Sequence, residues 1–193
     1  MRIELRNVLH TLGLHMAVLI LFAHPAFQKS RANRALVRAV EDMPEVTFHD
    51  LYEAYPDMHI DVPREQNLLR SHDAIVFQHP FYWYSVPAIL KEWQDLVLEW
   101  GFAYGAGGNV LKGKCFLPAI TLGGPASSYG RDGMNQFSVR ELLAPIEATA
   151  HLCGMKYLEP FTLHSANDLS AGELRDAAAR YCERIARLRD LHE

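Results

Sequence analysis

The chain reads as short apolar runs alternating with amphipathic stretches. Ala17–Ala23 (Ala-Val-Leu-Ile-Leu-Phe-Ala) is continuous, apolar and closed by His24-Pro25, the pattern of a strand buried on both faces. Val46–Leu51, Asp73–Gln78, Cys115–Leu122 and Tyr157–His164 supply four more strands. Between them lie helical patterns. Ser30 opens a stretch carrying Leu36, Val37 and Val40, and Pro63–Ser71 forms another. Val86, Ile89, Leu90, Trp93, Leu96, Val97 and Trp100 then fall on one wide apolar stripe, which Ser85 can cap and Gly101 ends, with Pro87 in its first turn. Leu143–Cys153 holds Pro145 in its first turn and stops at Gly154, and Ser170–Leu191 begins with a Ser170/Glu173 capping-box pattern. Five strands separated by helices predict one α/β domain, a doubly wound parallel sheet of order 2-1-3-4-5.

In that order the loops after strands one, three and four share the carboxyl edge of the sheet. The first is His24–Asn33. Its Ser30 opens a helix whose first-turn N–H groups suit a phosphate, with Ser30 and Asn33 as further donors, although a serine there is also an ordinary cap. The middle loop is His79–Tyr84, with Phe81, Tyr82, Trp83 and Tyr84 consecutive. A loop cannot bury four aromatics on one face, so they form either a wall for a flat ligand or an interface patch. The third, Thr121–Tyr129, contains Gly123-Gly124, where backbone N–H groups can approach a ligand closely. Phosphate cradle, aromatic wall and glycine pair together suggest flavin mononucleotide (FMN).

Composition narrows the class. Of 193 residues 49% are hydrophobic and 22% charged, which is globular, and 19 basic against 23 acidic side chains give −4, which argues against a nucleic-acid surface. Cys115, Cys153 and Cys182 form no Cys-x-x-Cys pair, and ten histidines lack ligand spacing, so neither a disulfide framework nor a metal site is expected. The cysteines read as buried small hydrophobes and the expected compartment is the reducing cytoplasm. No Gly-x-Gly-x-x-Gly follows a strand, and no Gly-x-Ser-x-Gly elbow or Walker-type loop exists. Residues 1–15 read either as an extension upstream of a true start at Met16 or as a short added helix.

The chain resembles the flavodoxin-like NAD(P)H:quinone oxidoreductases, with the closest likeness to ancillary oxidoreductases of glutathione-regulated potassium-efflux systems. The likeness rests on Ala23-His24-Pro25, Ser30-x-Ala32-Asn33, Tyr55-Pro56-Asp57 with Ile60-Asp61, Gln78-His79-Pro80-x-x-Trp83-Tyr84-Ser85-x-Pro87, Leu90-Lys91-x-Trp93, Gly101–Gly105 and Thr121-x-Gly123-Gly124. It implies a homodimer with one FMN per subunit; FAD fits less well, because longer FAD-binding relatives carry an extra C-terminal segment. His24, Ser30, Arg31, Ala32 and Asn33 would hold the phosphate and ribityl chain. Pro80, Phe81, Tyr82, Trp83, Tyr84, Thr121, Leu122, Gly123 and Gly124 would hold the ring. NADH or NADPH would donate a hydride, which then passes to a quinone or similar electrophile in a ping-pong cycle. Tyr129 would act at the acceptor, and a histidine common six residues later is here Asn135. His79 reads as structural, and Trp93 and Trp100 as core or dimer-interface residues. A second reading is a regulatory subunit bound to a membrane potassium-efflux antiporter, hence peripheral at the inner face of the membrane. A plain electron-carrier flavodoxin is a third, disfavoured by the modest net charge.

Overall fold

The computed structural model describes residues 16–189; residues 1–15 and Leu191 lie outside them. The sheet is built from β1 (Val18–Phe22), β2 (Val46–Asp50), β3 (Ala74–Pro80), β4 (Cys115–Thr121), β5 (Lys156–Tyr157) and β6 (Phe161–Leu163). Its order is β2-β1-β3-β4-β5, all parallel, with β6 also paired to β4. The helices are α1 (Arg31–Arg38), α2 (Leu51–Ala54), α3 (Val62–Ser71), α4 (Ala88–Val97), α5 (Val139–Leu142), α6 (Ala144–Leu152) and α7 (Ala171–Arg189).

Every residue of β1, β3 and β4 is buried, which is why these strands read as unbroken apolar runs. Alternate side chains enter two cores. Leu19, Leu21, Ile75, Phe77 and Phe116 meet Leu69 of α3, Leu90 and Trp93 of α4 and Ala150 of α6. Val18, Ile20, Val76, Leu117 and Ala119 meet Leu36 of α1 and Ala177, Tyr181 and Ile185 of α7. Pro145 lies in the first turn of α6, and the Ser170 N–H donates to Glu173 Oε2 while Ser170 Oγ accepts from the Glu173 N–H, as the capping pattern predicts.

Four expectations change. The fifth strand is two pieces: Cys115 pairs with Lys156 but Ala119 with Phe161, so the edge gains one residue around Pro160, which has no N–H for the ladder. Helix α4 starts behind Pro87, without a cap from Ser85, and ends at Val97. The apolar stripe therefore does not stay on one helix: Trp93 is core, 1% exposed, whereas Trp100 lies beyond the helix end and is 67% exposed. Trp93 is thus excluded from any subunit interface. Two one-turn helices were not expected. Asp50 accepts from the Tyr52 and Glu53 N–H groups to start α2, and Ser138 and Glu141 box the start of α5. Among the described residues no helix is long and apolar enough to cross a membrane, and no group of three or more His, Cys, Asp or Glu is placed to hold a metal.

Candidate functional site

The three expected loops do converge. The Ala23 N–H donates to the Gln78 carbonyl, the Phe81 N–H donates to the Thr121 carbonyl at 2.8 Å, and the His24 and Tyr82 rings meet edge to face with centroids 6.0 Å apart.

Ser30 is the N-cap of α1. Its Oγ accepts from the Asn33 N–H at 3.2 Å and from Asn33 Nδ2 at 3.1 Å. Asn33 Nδ2 also donates to Thr121 Oγ1 at 3.0 Å, stitching the first loop to the third across 88 residues. Asn33 is 1% exposed and its Oδ1 has no partner. The N–H groups of Arg31 and Ala32 have no intrahelical acceptor, as in any first turn, and that turn contains no acidic residue. The Ala32 side chain belongs to the core, so only its backbone faces a ligand. His24 is 8% exposed, and its Nδ1 accepts from the Ala26 N–H at 3.1 Å. The neutral ring therefore carries its proton on Nε2, and burial lowers its pKa against the pull of its own carbonyl.

The aromatic loop is strained. Trp83 (φ 49°, ψ 43°) and Tyr84 (φ 61°) both occupy the left-handed region that side chains other than glycine avoid. Trp83 is 93% exposed, so burial of its own ring does not compensate. Pro80 is the last residue of β3, Phe81 is partly buried, and Tyr82 and Tyr84 are exposed. Tyr84 Oη donates to Asn135 Oδ1 at 2.9 Å, tying the middle loop to the segment that follows the third. His79 is structural, as expected: 1% exposed, its Nδ1 on the Pro80 carbonyl at 2.9 Å, its pKa pushed down by burial to about 4.

In the third loop Gly123 and Gly124 have no positive φ, and an added Cβ would meet nothing closer than 3.7 and 3.6 Å. The fold itself does not require glycine there. Their N–H groups have no protein acceptor among the described residues. Gly108 and Gly133 are different, since a Cβ would meet Tyr104 O at 2.0 Å and Ser128 C at 2.5 Å. Leu122 departs from the expected ring contact. Its N–H donates to Leu163 O, its carbonyl accepts from the Ala166 N–H, and its side chain packs with Ile120 and Leu143. Of Leu122, Gly123 and Gly124, then, the two glycines keep free backbone donors for a ligand. Tyr129 is partly buried, and burial raises its pKa, helped by Tyr84.

A fourth segment, after β6, was not foreseen. Asn167 Nδ2 lies 3.7 Å from the added-Cβ position of Gly123, and the His164 ring packs against Tyr129. Nothing local marks these residues, because only the pairing of β6 with β4 brings them to this edge.

This edge belongs to a known fold. Residues 16–185 match the model of the flavodoxin-like fold family. The chain is a member of that family. It is 48% identical over 174 residues to the uncharacterized NAD(P)H oxidoreductase YdeQ of Bacillus subtilis (strain 168), covering 90% of this chain and 88% of that protein. It is 49% identical over 169 residues to the glutathione-regulated potassium-efflux system ancillary protein KefG of Escherichia coli, covering 88% and 92%. The general stress protein 14 of Treponema denticola, solved in complex with FMN, superposes with a TM-score of 0.85 at 40% identity, covering 89% of this chain and 98% of that one. An NADPH-quinone reductase from P. pentosaceus gives 0.81 at 31% identity, covering 88% and 97%.

Proposed function

We propose that the protein is an FMN-dependent NAD(P)H:quinone oxidoreductase. The observation that carries the reading is the Gly123–Gly124 pair, glycines that internal packing does not demand, with unpaired N–H groups on the loop that Thr121 ties to the first turn of α1. A flat ligand lying against the backbone is a reason for such a pair. The orphaned Asn33 Oδ1 suits a hydroxyl donor such as the ribityl chain carries, and an acid-free first turn suits its phosphate. Bound FMN supplies two-electron chemistry, taking hydride from NAD(P)H and passing it to a quinone in two separate half-reactions.

The chain's own residues bind and orient. The Arg31 and Ala32 N–H groups, Ser30 Oγ and His24 Nε2–H hold the phosphate end. Pro80–Tyr84 and the glycine pair flank the ring. The Tyr129 hydroxyl hydrogen-bonds the acceptor oxygen as it gains negative charge, an interaction stronger in the transition state than before it. Asn135 cannot give up a proton near neutrality, and its Oδ1 already accepts from Tyr84.

The purified protein is expected to be yellow, or to become so on addition of FMN, and to bleach anaerobically with NADH or NADPH. A colourless protein that takes up no FMN removes this reading. A second reading, an ancillary subunit of a potassium-efflux system, is supported by the likeness to KefG. Co-purification with a membrane antiporter from detergent extracts tests it, and the two roles are compatible.

A further inference from the structure

Two buried carboxamides near the carboxyl edge of the sheet each leave one atom unpaired. Gln78 of β3 is fully buried; its Oε1 accepts from Tyr181 Oη of α7 at 2.9 Å, and its Nε2 has no partner. Asn33 of α1 donates through Nδ2 to Ser30 Oγ and Thr121 Oγ1, and its Oδ1 has no partner. Buried polar atoms are seldom left so, and here one is a donor and the other an acceptor. Gln78 pairs with Ala119 in the ladder, and Thr121 follows two residues along β4, so both side chains project from the face that α1 and α7 cover. The buried Thr121 hydroxyl accepts from Asn33 and has no acceptor for its own hydrogen among the described residues. The other side chains on this face beside Gln78, Val76, Leu117 and Ala119, are apolar and offer it no partner.

We propose that Gln78, oriented by Tyr181, is a positioning residue for the phosphate turn. It acts through one buried water that accepts from Gln78 Nε2 and the Thr121 hydroxyl and donates to Asn33 Oδ1. The proposal rests on the FMN reading above and names what holds that site in shape. Three bonds are what a buried water ordinarily makes. The residue opposite Gln78 is Ala119, whose methyl group takes up little of the space beside the carboxamide. Asn33 Oδ1 has two lone pairs, so the water leaves one for a ligand hydroxyl.

The water fixes the Asn33 carboxamide, and with it the Ser30 cap that Asn33 braces, before a ligand arrives. Preorganisation of that kind lowers the entropic cost of binding. Tyr181 belongs to the same chain of bonds. Burial raises its pKa, so the phenol stays a donor and keeps Gln78 Oε1 turned towards α7 and Nε2 away from it. The seating of α7 thereby reaches the first turn of α1 through β3 and β4.

Fluorescence titration of the flavin-free protein with FMN and with lumiflavin, which has the ring but no ribityl phosphate, tests this. Gln78→Met keeps the shape and removes the donor. It is expected to raise the FMN Kd about 10-fold, and Tyr181→Phe about 5-fold, each the worth of one hydrogen bond. The lumiflavin Kd should stay within about two-fold of the parent in both, because Asn33 serves the ribityl and phosphate end. The double variant should bind FMN no more weakly than Gln78→Met, because Tyr181 acts through Gln78. Equal weakening for both ligands would reduce the role to general packing and overturn the proposal. So would an FMN Kd unchanged in both variants, or multiplied losses in the double variant. A high-resolution crystal structure of the FMN-loaded parent reads the water directly and needs no variant to fold. A water within hydrogen-bond distance of Gln78 Nε2, Thr121 Oγ1 and Asn33 Oδ1 supports the proposal, and none there overturns it. The two readings fail separately. A parent that binds no FMN ends the proposed function and this inference with it, whereas a parent matched by Gln78→Met in FMN affinity ends this inference alone.

Discussion

Trp83 shows how much of this site is set by single residues. Its left-handed backbone costs about 1 kcal/mol that glycine would not incur, and its exposed ring recovers none of it. Trp83→Gly should therefore raise the melting temperature of the flavin-free protein by about 2–4 °C while weakening FMN binding. Calorimetry and a fluorescence titration measure the two, and a lower melting temperature would show that the ring supports the loop. Ser30→Glu places a carboxylate where the phosphate is proposed to sit and should raise the FMN Kd, whereas an unchanged Kd would put the phosphate elsewhere. Tyr129→Phe should lower turnover about 10-fold, worth about 1.4 kcal/mol, at unchanged flavin content. The sequence exposed the aromatic run and the glycine pair because each breaks a local rule, aromatics in a loop and paired glycines after a strand, and it exposed Ser30 as a helix cap directly after a core strand. The contact between His164 and Tyr129, 35 positions apart, breaks none and is set by the fold.

At the scale of elements, buried polar groups act as fasteners. Glu65 of α3 is fully buried and accepts from His49 Nε2 at 2.8 Å, Tyr55 Oη at 2.5 Å and Trp93 Nε1 at 2.8 Å. It thereby joins β2, the segment after α2, and α4 to its own helix. Burial pushes its carboxyl up, and the hydrogen bonds outweigh that and hold it low. Glu65→Leu strands three donors and should cost about 3–5 kcal/mol in denaturant unfolding, with Glu65→Gln costing less because it keeps an acceptor. Lys114 closes the other end of α3, its Nζ donating to the Leu69 carbonyl at 2.7 Å and to that of His72. His79 in β3 makes the fold acid-sensitive. Its folded pKa of about 4 lies below the ordinary 6.5, so the unfolded chain binds a proton that the folded chain refuses. The stability it permits is complete above pH 6.5 and is lost as pH falls towards 4, by about 3 kcal/mol, and His79→Gln should blunt that acid loss in denaturation at pH 7 and pH 4.5. Periodicity located most of the elements involved but none of these fasteners, because a hydrogen bond across elements leaves no local period.

For the whole molecule, assembly turns on Trp100. Trp100 stands 67% exposed while its ring packs edge to face on Tyr104 with centroids 5.6 Å apart. Aromatic residues are common interface anchors. The protein is expected to sediment as a dimer at micromolar concentration, and Trp100→Glu to shift it towards monomer. A monomeric parent would leave Trp100 without that role. Trp93, on the same predicted stripe, cannot take part, because the chain turns between the two residues.

The amino-acid order alone determined the class of this protein. Apolar runs too short for helices but buried on both faces demand a parallel sheet with helices on each side, and that sheet places three loops along one edge. Local patterns report which side of its own element a residue occupies. They do not report which residues of other elements it meets. Only the tertiary structure decided that Asn33 bridges to Thr121, that Leu122 is spent on the sheet, that Trp93 is core while Trp100 is surface, and that His164 lies against Tyr129. Those pairings follow from strand order, crossover direction and the one-residue offset near Pro160, which act between segments far apart in the chain.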